Sequence, residues 1–192
     1  LSLREPILID MSRVAVIRNK AKPSDQEVYK MVKEAVDHLG GIKSIVKEGD
    51  KVALKPNVVT GELSGPGVTT DKRIVEALIR LCKEADAGEI MIVEGAGYFT
   101  ETSKALKLSG YVELAEKYGA EVVDVDKSPV VKVPVPDALL VDPVEVSEAF
   151  MDADVRINVP VMKTHDQLKV TLGVKNLKGV LPKYMKRNFH KI

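Results

Sequence analysis

The chain has 192 residues, of which 45% are apolar and 30% are charged, and its formal net charge is +1. This length and apolar share exclude a wholly disordered chain and suit one domain with a buried core. No apolar run is long enough to span a membrane, and the N-terminus lacks the pattern of a signal peptide. Because Cys82 is the only cysteine, no iron–sulfur cluster is expected within this chain alone, and a cytoplasmic location is expected.

Positive charge is concentrated near the C-terminus. Residues 162–192 hold eight Lys or Arg and a single acid, Asp166. This asymmetry indicates that the C-terminal segment meets an anionic ligand or partner. We therefore divide the chain into an α/β domain, residues 1–161, and a basic segment, residues 162–192, that contributes to its site. Abundant Lys and Glu beside few Gln and Asn also indicate a thermophile-like composition.

Strand-like and helix-like segments alternate along the first part of the chain. Residues 13–18 predict a strand, and Ser24 with Glu27 forms a capping box that begins a helix. A short apolar turn or helix follows at 42–46. The next predicted elements are a strand at 51–55, a helix at 71–85, a strand at 89–93, a helix at 111–118 and a strand at 121–125.

The second part of the chain continues the alternation. Residues 130–135 alternate apolar and polar positions among prolines, which predicts an edge hairpin or arm with residues 144–146. A short helix at 148–153, a strand at 155–161 and a helix at 166–175 are predicted next. Together these elements predict an α/β fold with a Rossmann-like, mainly parallel sheet and helices on both faces.

Polar residues follow the predicted strands at their carboxyl ends, which is the edge where open parallel sheets bind ligands. The residues are Lys55 and Asn57, then Glu94, Gly95 and Gly97, then Asp124 and Asp126, and finally Lys163 and His165. The opposite strand ends carry ordinary turn residues. This asymmetry predicts one ligand site along that edge.

The connection at 60–71 contains three glycines and leads directly into a helix. Its backbone can approach a ligand closely, and the free N–H groups of a helix start attract anions, so Thr69, Thr70 and Asp71 are predicted to bind substrate. A mobile loop that ends in a threonine N-cap is the alternative. The run from Glu94 to Gly97 contains only the beginning of a dinucleotide motif, so no nicotinamide cofactor is inferred.

The segment 162–182 holds the strongest chemical candidates. Histidine is the residue type able to exchange protons near neutral pH without a large shift of its pKa, and Lys163 is expected on the same side of an extended chain as His165. The two would combine a general acid–base with an anion contact. Lys175 would return to the same pocket, where Asn176 would position substrate. The alternative for Lys175 and Asn176 is the end of a helix, whose dipole favours cations. The spacings of metal-binding motifs are absent, so no metal site is predicted.

This chain resembles the domain of unknown function three-six-two family at Lys55-Pro-Asn57, Thr70-Asp71, Glu94-Gly95, Lys163-Thr-His165 and Thr171-Leu-Gly-Val-Lys175-Asn176 with Gly179. The family is uncharacterised and is sometimes fused to ferredoxin-type iron–sulfur modules. The resemblance implies a Rossmann-like domain with these residues around one pocket. It also implies a longer protein, so that the rest of the site is missing here or is supplied by another subunit. A more distant resemblance to the N-terminal domain of lactate racemase-like proteins carries over no nickel cofactor.

The first functional hypothesis is an enzyme domain that acts on a small anionic substrate with a carboxylate or phosphate group. Lys55, Lys163 and Lys175 would hold the anion, and His165 would be the general acid–base. Asp71 or Glu94 would orient a cation or a histidine, and Asn57 would position substrate together with Asn176. The reaction would be an isomerisation, a proton abstraction beside a carbonyl, or redox chemistry with a partner. The cofactor is unknown, and a homo-oligomer is left open.

Two alternatives come from other classes of protein. One is a redox partner or binding domain that works with a Cys-rich ferredoxin-type domain or protein. The other is a nucleic-acid-binding module that uses the basic C-terminal segment, where Tyr184 and Phe189 interleave with cations.

Overall fold

A computed structural model describes residues 12–19, 22–61, 67–164 and 169–189 of the chain. In the described residues the strands are β1 (Lys51–Lys55), β2 (Glu89–Glu94), β3 (Glu121–Asp124), β4 (Val130–Val133), β5 (Val144–Ser147) and β6 (Val155–Asn158). Four of them form a parallel sheet in the order β3-β2-β1-β6, and β4 pairs with β5 in a separate antiparallel sheet. The predictions of an α/β fold and of the small hairpin are confirmed.

The helices of the described residues are α1 (Asp25–His38), α2 (Lys72–Glu84), α3 (Thr102–Leu108), α4 (Tyr111–Tyr118), α5 (Glu148–Asp152), α6 (Gly173–Asn176) and α7 (Lys183–Asn188). Two 3₁₀ turns lie at Ile42–Ser44 and Leu177–Val180. The capping box that begins α1 is present, because the Ser24 hydroxyl accepts from the Glu27 amide and the Glu27 carboxylate accepts from the Ser24 amide. These reciprocal bonds satisfy N–H groups that have no partner within the helix.

Both faces of the parallel sheet are buried. Side chains alternate along a strand, so Val52 of β1 packs into a cluster with α2 and α4, whereas Ala53 packs into a second cluster with α5 and α7. In register, Val52 lies between Ile90 of β2 and Val155 of β6. This double burial explains why β1 and β2 are apolar almost throughout.

The order of the strands places a crevice beside β1. The chain passes from β1 through α2 to β2, and through α3 and α4 to β3, so the sheet first grows in one direction. The last strand, β6, then pairs with the other side of β1. Ligands of open parallel sheets bind at such a reversal, outside the carboxyl ends of the strands.

Two secondary-structure predictions are wrong. Residues 12–19 form no strand, and Val14 and Val16 are 82% and 85% exposed, because no described strand hydrogen-bonds to this segment. Residues 169–172, the described part of the helix predicted at 166–175 that precedes α6, are not helical, and α6 begins at Gly173. Thr171 instead pairs with Lys163 in an isolated antiparallel bridge, which uses backbone groups that a helix would need.

Smaller differences concern lengths and omitted elements. The strand predicted at 155–161 ends at Asn158, and α3 was not predicted from its short pattern. The region 183–188 is a helix whose Met185 side chain is buried against the sheet. In the described parts of the chain, no helix is long and apolar enough to cross a membrane.

Candidate functional site

A cleft of about 380 Å³ lies at the carboxyl edge of the parallel sheet. Residues of the loops after β1 and β2 line it, together with residues of the segment after β6. Of the residues predicted to form the site, the cleft brings together Asn57, Glu94, Gly95, Gly97, Lys163, Lys175 and Asn176. The carboxyl ends of β1, β2 and β6 therefore contribute to one depression, as their polar residues indicated.

The base of the cleft is a buried ion pair between Lys55 and Glu94. The Lys55 Nζ lies 2.6 Å from the Glu94 Oε2, and both residues are at most 1% exposed. Lys55 also donates to the Pro56 carbonyl at 2.6 Å, while Glu94 accepts from the amides of Val58 and Gly95 at 3.0 and 2.8 Å. Each contact suits an ammonium facing a carboxylate, so the hydrogen bonds satisfy an ionised pair.

Burial acts on both members of this pair against their charged forms. It lowers the pKa of Lys55 and raises the pKa of Glu94, while their mutual attraction opposes both changes. Breaking such a pair by removing one partner is strongly destabilising, because an uncompensated charge is left in the interior. Lys55, predicted to bind substrate, therefore has a structural partner in Glu94.

Two asparagines join α6 to the ends of β1 and β6. The Asn176 side chain donates to the Asn158 Oδ1 at 2.7 Å and to the Lys55 carbonyl at 3.2 Å. Asn158 donates in turn to the Gly173 carbonyl at 2.9 Å. Because Asn176 is buried, its amide fixes the position of α6 against the strand ends.

Close packing around the ion pair depends on Gly179. A Cβ atom on this residue would lie 2.2 Å from the Glu94 Oε1 and 2.6 Å from the Lys55 Nζ. Only a residue without a side chain permits this approach of the backbone. The 3₁₀ turn Leu177–Val180 consequently covers the pair directly.

Four lysines line the cleft above this base. Lys163 donates to the Val68 carbonyl at 2.7 Å, and Lys186 donates to the carbonyls of Gly95 and Ala96 at 2.7 and 2.9 Å. Lys175 and Lys178 also contribute to the lining. Among the lining residues that the structure describes, Glu94 is the only carboxylate, and it already pairs with Lys55.

Burial and the charges of neighbouring lysines disfavour the protonated form of the lysines in the cleft. Burial lowers the pKa of Lys163 and of Lys178, and the neighbouring Lys175 charge lowers both further. Burial lowers the pKa of Lys186 to about 8 against the attraction of Glu94. An anion in the cleft would relieve this repulsion and favour the charged lysines.

The burial of Lys186 predicts a specific pH dependence of stability. Its pKa is about 8 in the folded chain and 10.5 in the absence of perturbation. Between these values the unfolded chain binds more protons, so the contribution of Lys186 to the free energy of unfolding rises as the pH rises from 8 to 10.5. Urea denaturation measures the free energy of unfolding of the wild-type chain and of Lys186→Met. The wild-type value minus the variant value should rise between pH 8 and 10.5, and a constant difference would contradict the prediction.

Other predicted site residues lie away from the cleft lining. The Thr70 hydroxyl accepts from the Asn57 amide and donates to the Val159 carbonyl, so it joins loops. Asp71 is the N-cap of α2 and pairs with Arg73 at 2.6 Å, which leaves its carboxylate at the helix start where an anion was predicted. Thr69 is buried, and its hydroxyl has no hydrogen-bond partner among the residues that the structure describes.

His165 lies outside the described residues, as do residues 62–66 of the predicted anion-binding loop. Its proposed pairing with Lys163 stays a prediction. Lys163 itself is in the cleft lining. In the described regions, no three His, Cys, Asp or Glu side chains cluster in a way that would hold a metal ion.

Sequence reasoning missed Lys178, Lys186 and Asn158, as well as the apolar residues of the cleft lining. Lys178 and Lys186 line the cleft, and Asn158 fixes Asn176 at its edge. The concentration of Lys and Arg after residue 162 was the available signal for the lysines. Their positions around one cleft depend on the turns between α6 and α7, which have no periodic sequence pattern.

The fold and the cleft define an α/β domain whose parallel sheet presents a lysine-lined depression at its carboxyl edge. The chain belongs to the family described as domain of unknown function DUF362, whose sequence profile matches residues 52–192. The matched region begins in β1 and contains every residue of the cleft lining. The family resemblance inferred from the motifs is therefore confirmed.

The chain is also similar to a relative with a curated name. The chain is 34% identical over 155 residues to the thylakoid-associated protein sll1697 of Synechocystis sp., and the alignment covers 81% of this chain and 46% of the relative. The chain thus spans about half the length of the curated relative that it matches. No solved structure matches this chain significantly.

Proposed function

We propose that the cleft binds a small anionic substrate through a carboxylate or phosphate group, and that lysine and histidine side chains perform acid–base chemistry on it. One observation carries this proposal. Four lysines line one cleft whose single described carboxylate is already neutralised by Lys55. An anion supplies the charge that this arrangement lacks, and its desolvated contacts with ammonium groups are stronger than contacts on an open surface.

The lysines would also act on the reaction itself. Ammonium groups fixed beside a substrate stabilise negative charge that develops in a transition state. Lys163 is held by the Val68 carbonyl, and Lys186 is held by two carbonyls, so both are positioned before an anion arrives. His165, two residues after Lys163 in the chain, is the candidate general acid–base.

Replacement of Lys175 by glutamine is expected to weaken binding of inorganic phosphate roughly tenfold, because a charge-assisted contact is lost. Lys175 is the appropriate position, since it lines the cleft and has no ion-pair partner among the described residues. Isothermal titration calorimetry with inorganic phosphate at low ionic strength measures the effect on the full chain.

Lys104→Gln is the matched control for this experiment. Lys104 lies on α3, is exposed and does not line the cleft. Its replacement removes the same charge from the protein but should leave the affinity for phosphate nearly unchanged. Equal losses in the two variants would show attraction by net charge alone. Undetectable binding of both inorganic phosphate and acetate to the wild-type chain would also refute the proposal.

The remaining hypotheses are a nucleic-acid-binding module and a partner of a Cys-rich ferredoxin-type protein. Lys183 donates to the Thr100 carbonyl and lies 3.6 Å from Asp126, and Lys186 faces the cleft, so two cations of the proposed nucleic-acid surface have partners within the domain. Association with a Cys-rich ferredoxin-type partner is tested by anaerobic purification and iron analysis. The anion proposal has the more specific support, since it accounts for the shared position of the lysines.

The finer features of the proposal depend on resemblance. The distant similarity to lactate racemase-like proteins favours an isomerisation of a carboxylate substrate among the reactions considered. We also propose a cytoplasmic location on the basis of the sequence, although the curated relative is named as thylakoid-associated. Cell fractionation with an antibody against this chain distinguishes the two locations.

A further inference from the structure

The lining of the cleft is chemically divided. Residues from the loops after β1 and β2 form an apolar part, which comprises Val58, Val59, Val68, Ala96 and Tyr98. Residues from the C-terminal segment form a lysine part, which comprises Lys163, Lys175, Lys178 and Lys186. In the described lining, the apolar part contains no lysine. Leu172, from the C-terminal segment, adds an apolar side chain beside the lysine part.

The apolar part is held as a unit by contacts between its two loops. The Gly97 amide donates to the Val59 carbonyl at 2.9 Å, and a Cβ on Gly97 would lie only 2.7 Å from that oxygen. The loop after β1 therefore packs directly on the loop after β2. Val68 is joined to the lysine part as well, because its carbonyl accepts from Lys163.

Several apolar side chains of the cleft remain accessible to water. Val59 is 38% exposed, Tyr98 is 42% exposed and Leu172 is 50% exposed. An inorganic anion would contact the lysines without covering these three side chains. A volume of about 380 Å³ also lies in the range of sites for organic ligands, which bury most of the ligand surface.

We infer that the ligand of the cleft is amphiphilic: a phosphate or carboxylate group at the lysine part is joined to an apolar, ring-sized body that covers Val59, Tyr98 and Leu172. This inference rests on the proposed function and narrows its substrate class. The anion supplies charge to the lysines, while the body removes the exposed apolar surface from water. The division of the lining fixes the orientation of such a ligand.

A pair of probes with the same anionic group tests the inference. Phenyl phosphate is expected to bind the full chain roughly tenfold more tightly than methyl phosphate, since its ring buries additional apolar surface. Benzoate and acetate form a second pair for the carboxylate case. Titration calorimetry at constant ionic strength measures all four affinities, and inorganic phosphate reports on the anion contact alone.

Alanine variants of the apolar lining test where the ring of the ligand makes contact. Leu172→Ala should remove most of the preference for phenyl phosphate and leave the affinity for inorganic phosphate unchanged. Val174→Ala is the matched control, because Val174 lies two residues away, is 90% exposed and does not line the cleft. Tyr98→Ala tests the apolar part in the same way as Leu172→Ala.

The titrations distinguish the inference of an amphiphilic ligand from the proposal of an anion site. A preference for the ring that Leu172→Ala and Tyr98→Ala reduce, but Val174→Ala retains, supports the inference. Equal affinities for phenyl and methyl phosphate overturn it and leave the anion site intact. A preference that all three variants retain also overturns it, because the ring then binds elsewhere. Absence of binding by every probe refutes the proposed function itself.

Discussion

Replacement of Glu94 by glutamine is expected to lower the free energy of unfolding by about 3–5 kcal/mol, the usual cost of breaking a buried ion pair. The substitution keeps the size of the side chain but leaves the Lys55 ammonium in the interior without its counter-charge. Its new amide N–H₂ must also face a donor, because one carboxylate oxygen accepts from Lys55 and Val58 and the other accepts from Gly95.

Urea denaturation at pH 7 measures this loss, and Glu89→Gln is its matched control. Glu89 begins the same strand and pairs with Lys51 at 3.5 Å, at the opposite end of the same two strands. That pair is exposed, so its loss should cost less than about 1 kcal/mol. Similar losses in the two variants would contradict the importance given to burial.

The double variant Lys55→Met with Glu94→Gln separates the pair from its surroundings. Removal of the ammonium leaves no uncompensated charge, so the double variant should be more stable than Glu94→Gln alone. A loss equal to the sum of the two single losses would show that the two side chains contribute independently. Such additivity would be incompatible with their 2.6 Å contact.

Replacement of Gly179 by alanine is expected to destabilise the chain by about 3 kcal/mol, at the upper end of the usual cost of overpacking. The new methyl group would meet the Glu94 Oε1 at 2.2 Å and the Lys55 Nζ at 2.6 Å. Neither group can move without loss of hydrogen bonds in a buried site. The 3₁₀ turn would have to shift away from the sheet, which would also displace Lys178 at the cleft.

Gly173→Ala provides the control for this prediction. Gly173 is the first residue of α6, and the nearest atom to its added Cβ is the Asn158 Nδ2 at 3.5 Å, an ordinary contact distance. This variant should unfold at nearly the same urea concentration as the wild-type chain. If Gly179→Ala unfolds there too, the packing of the turn over the ion pair is not as tight as the distances indicate.

Regular elements with strong local patterns were predictable from the sequence. The apolar run of β1 and the spacing of apolar residues in α2 depend on burial that repeats with the period of the element. The same reasoning failed at residues 13–18, where a short apolar run has no described strand beside it. A strand needs a partner for its backbone, and an apolar run does not identify one.

The candidate site was predictable in part, because the topology of a parallel sheet brings certain residues together. In a parallel sheet the carboxyl ends lie at one edge, so Asn57, Glu94 and Lys163 were expected together before their distances were known. Asp71 was also expected to bind substrate, and the structure places it at the N-cap of α2, outside the cleft lining. Local sequence does not distinguish the two roles, since both place a polar side chain at the same turn.

The order of amino acids is enough to predict the α/β class, the edge of the sheet that carries polar residues and the excess of cations after residue 162. These properties follow from periodic burial and from composition, which are local or additive along the chain. The packed fold was needed to show that Glu94 neutralises Lys55, that Gly179 lies directly over this pair and that Lys186 lines the cleft. Such contacts join residues that are distant in the chain, and they depend on distances within the packed fold.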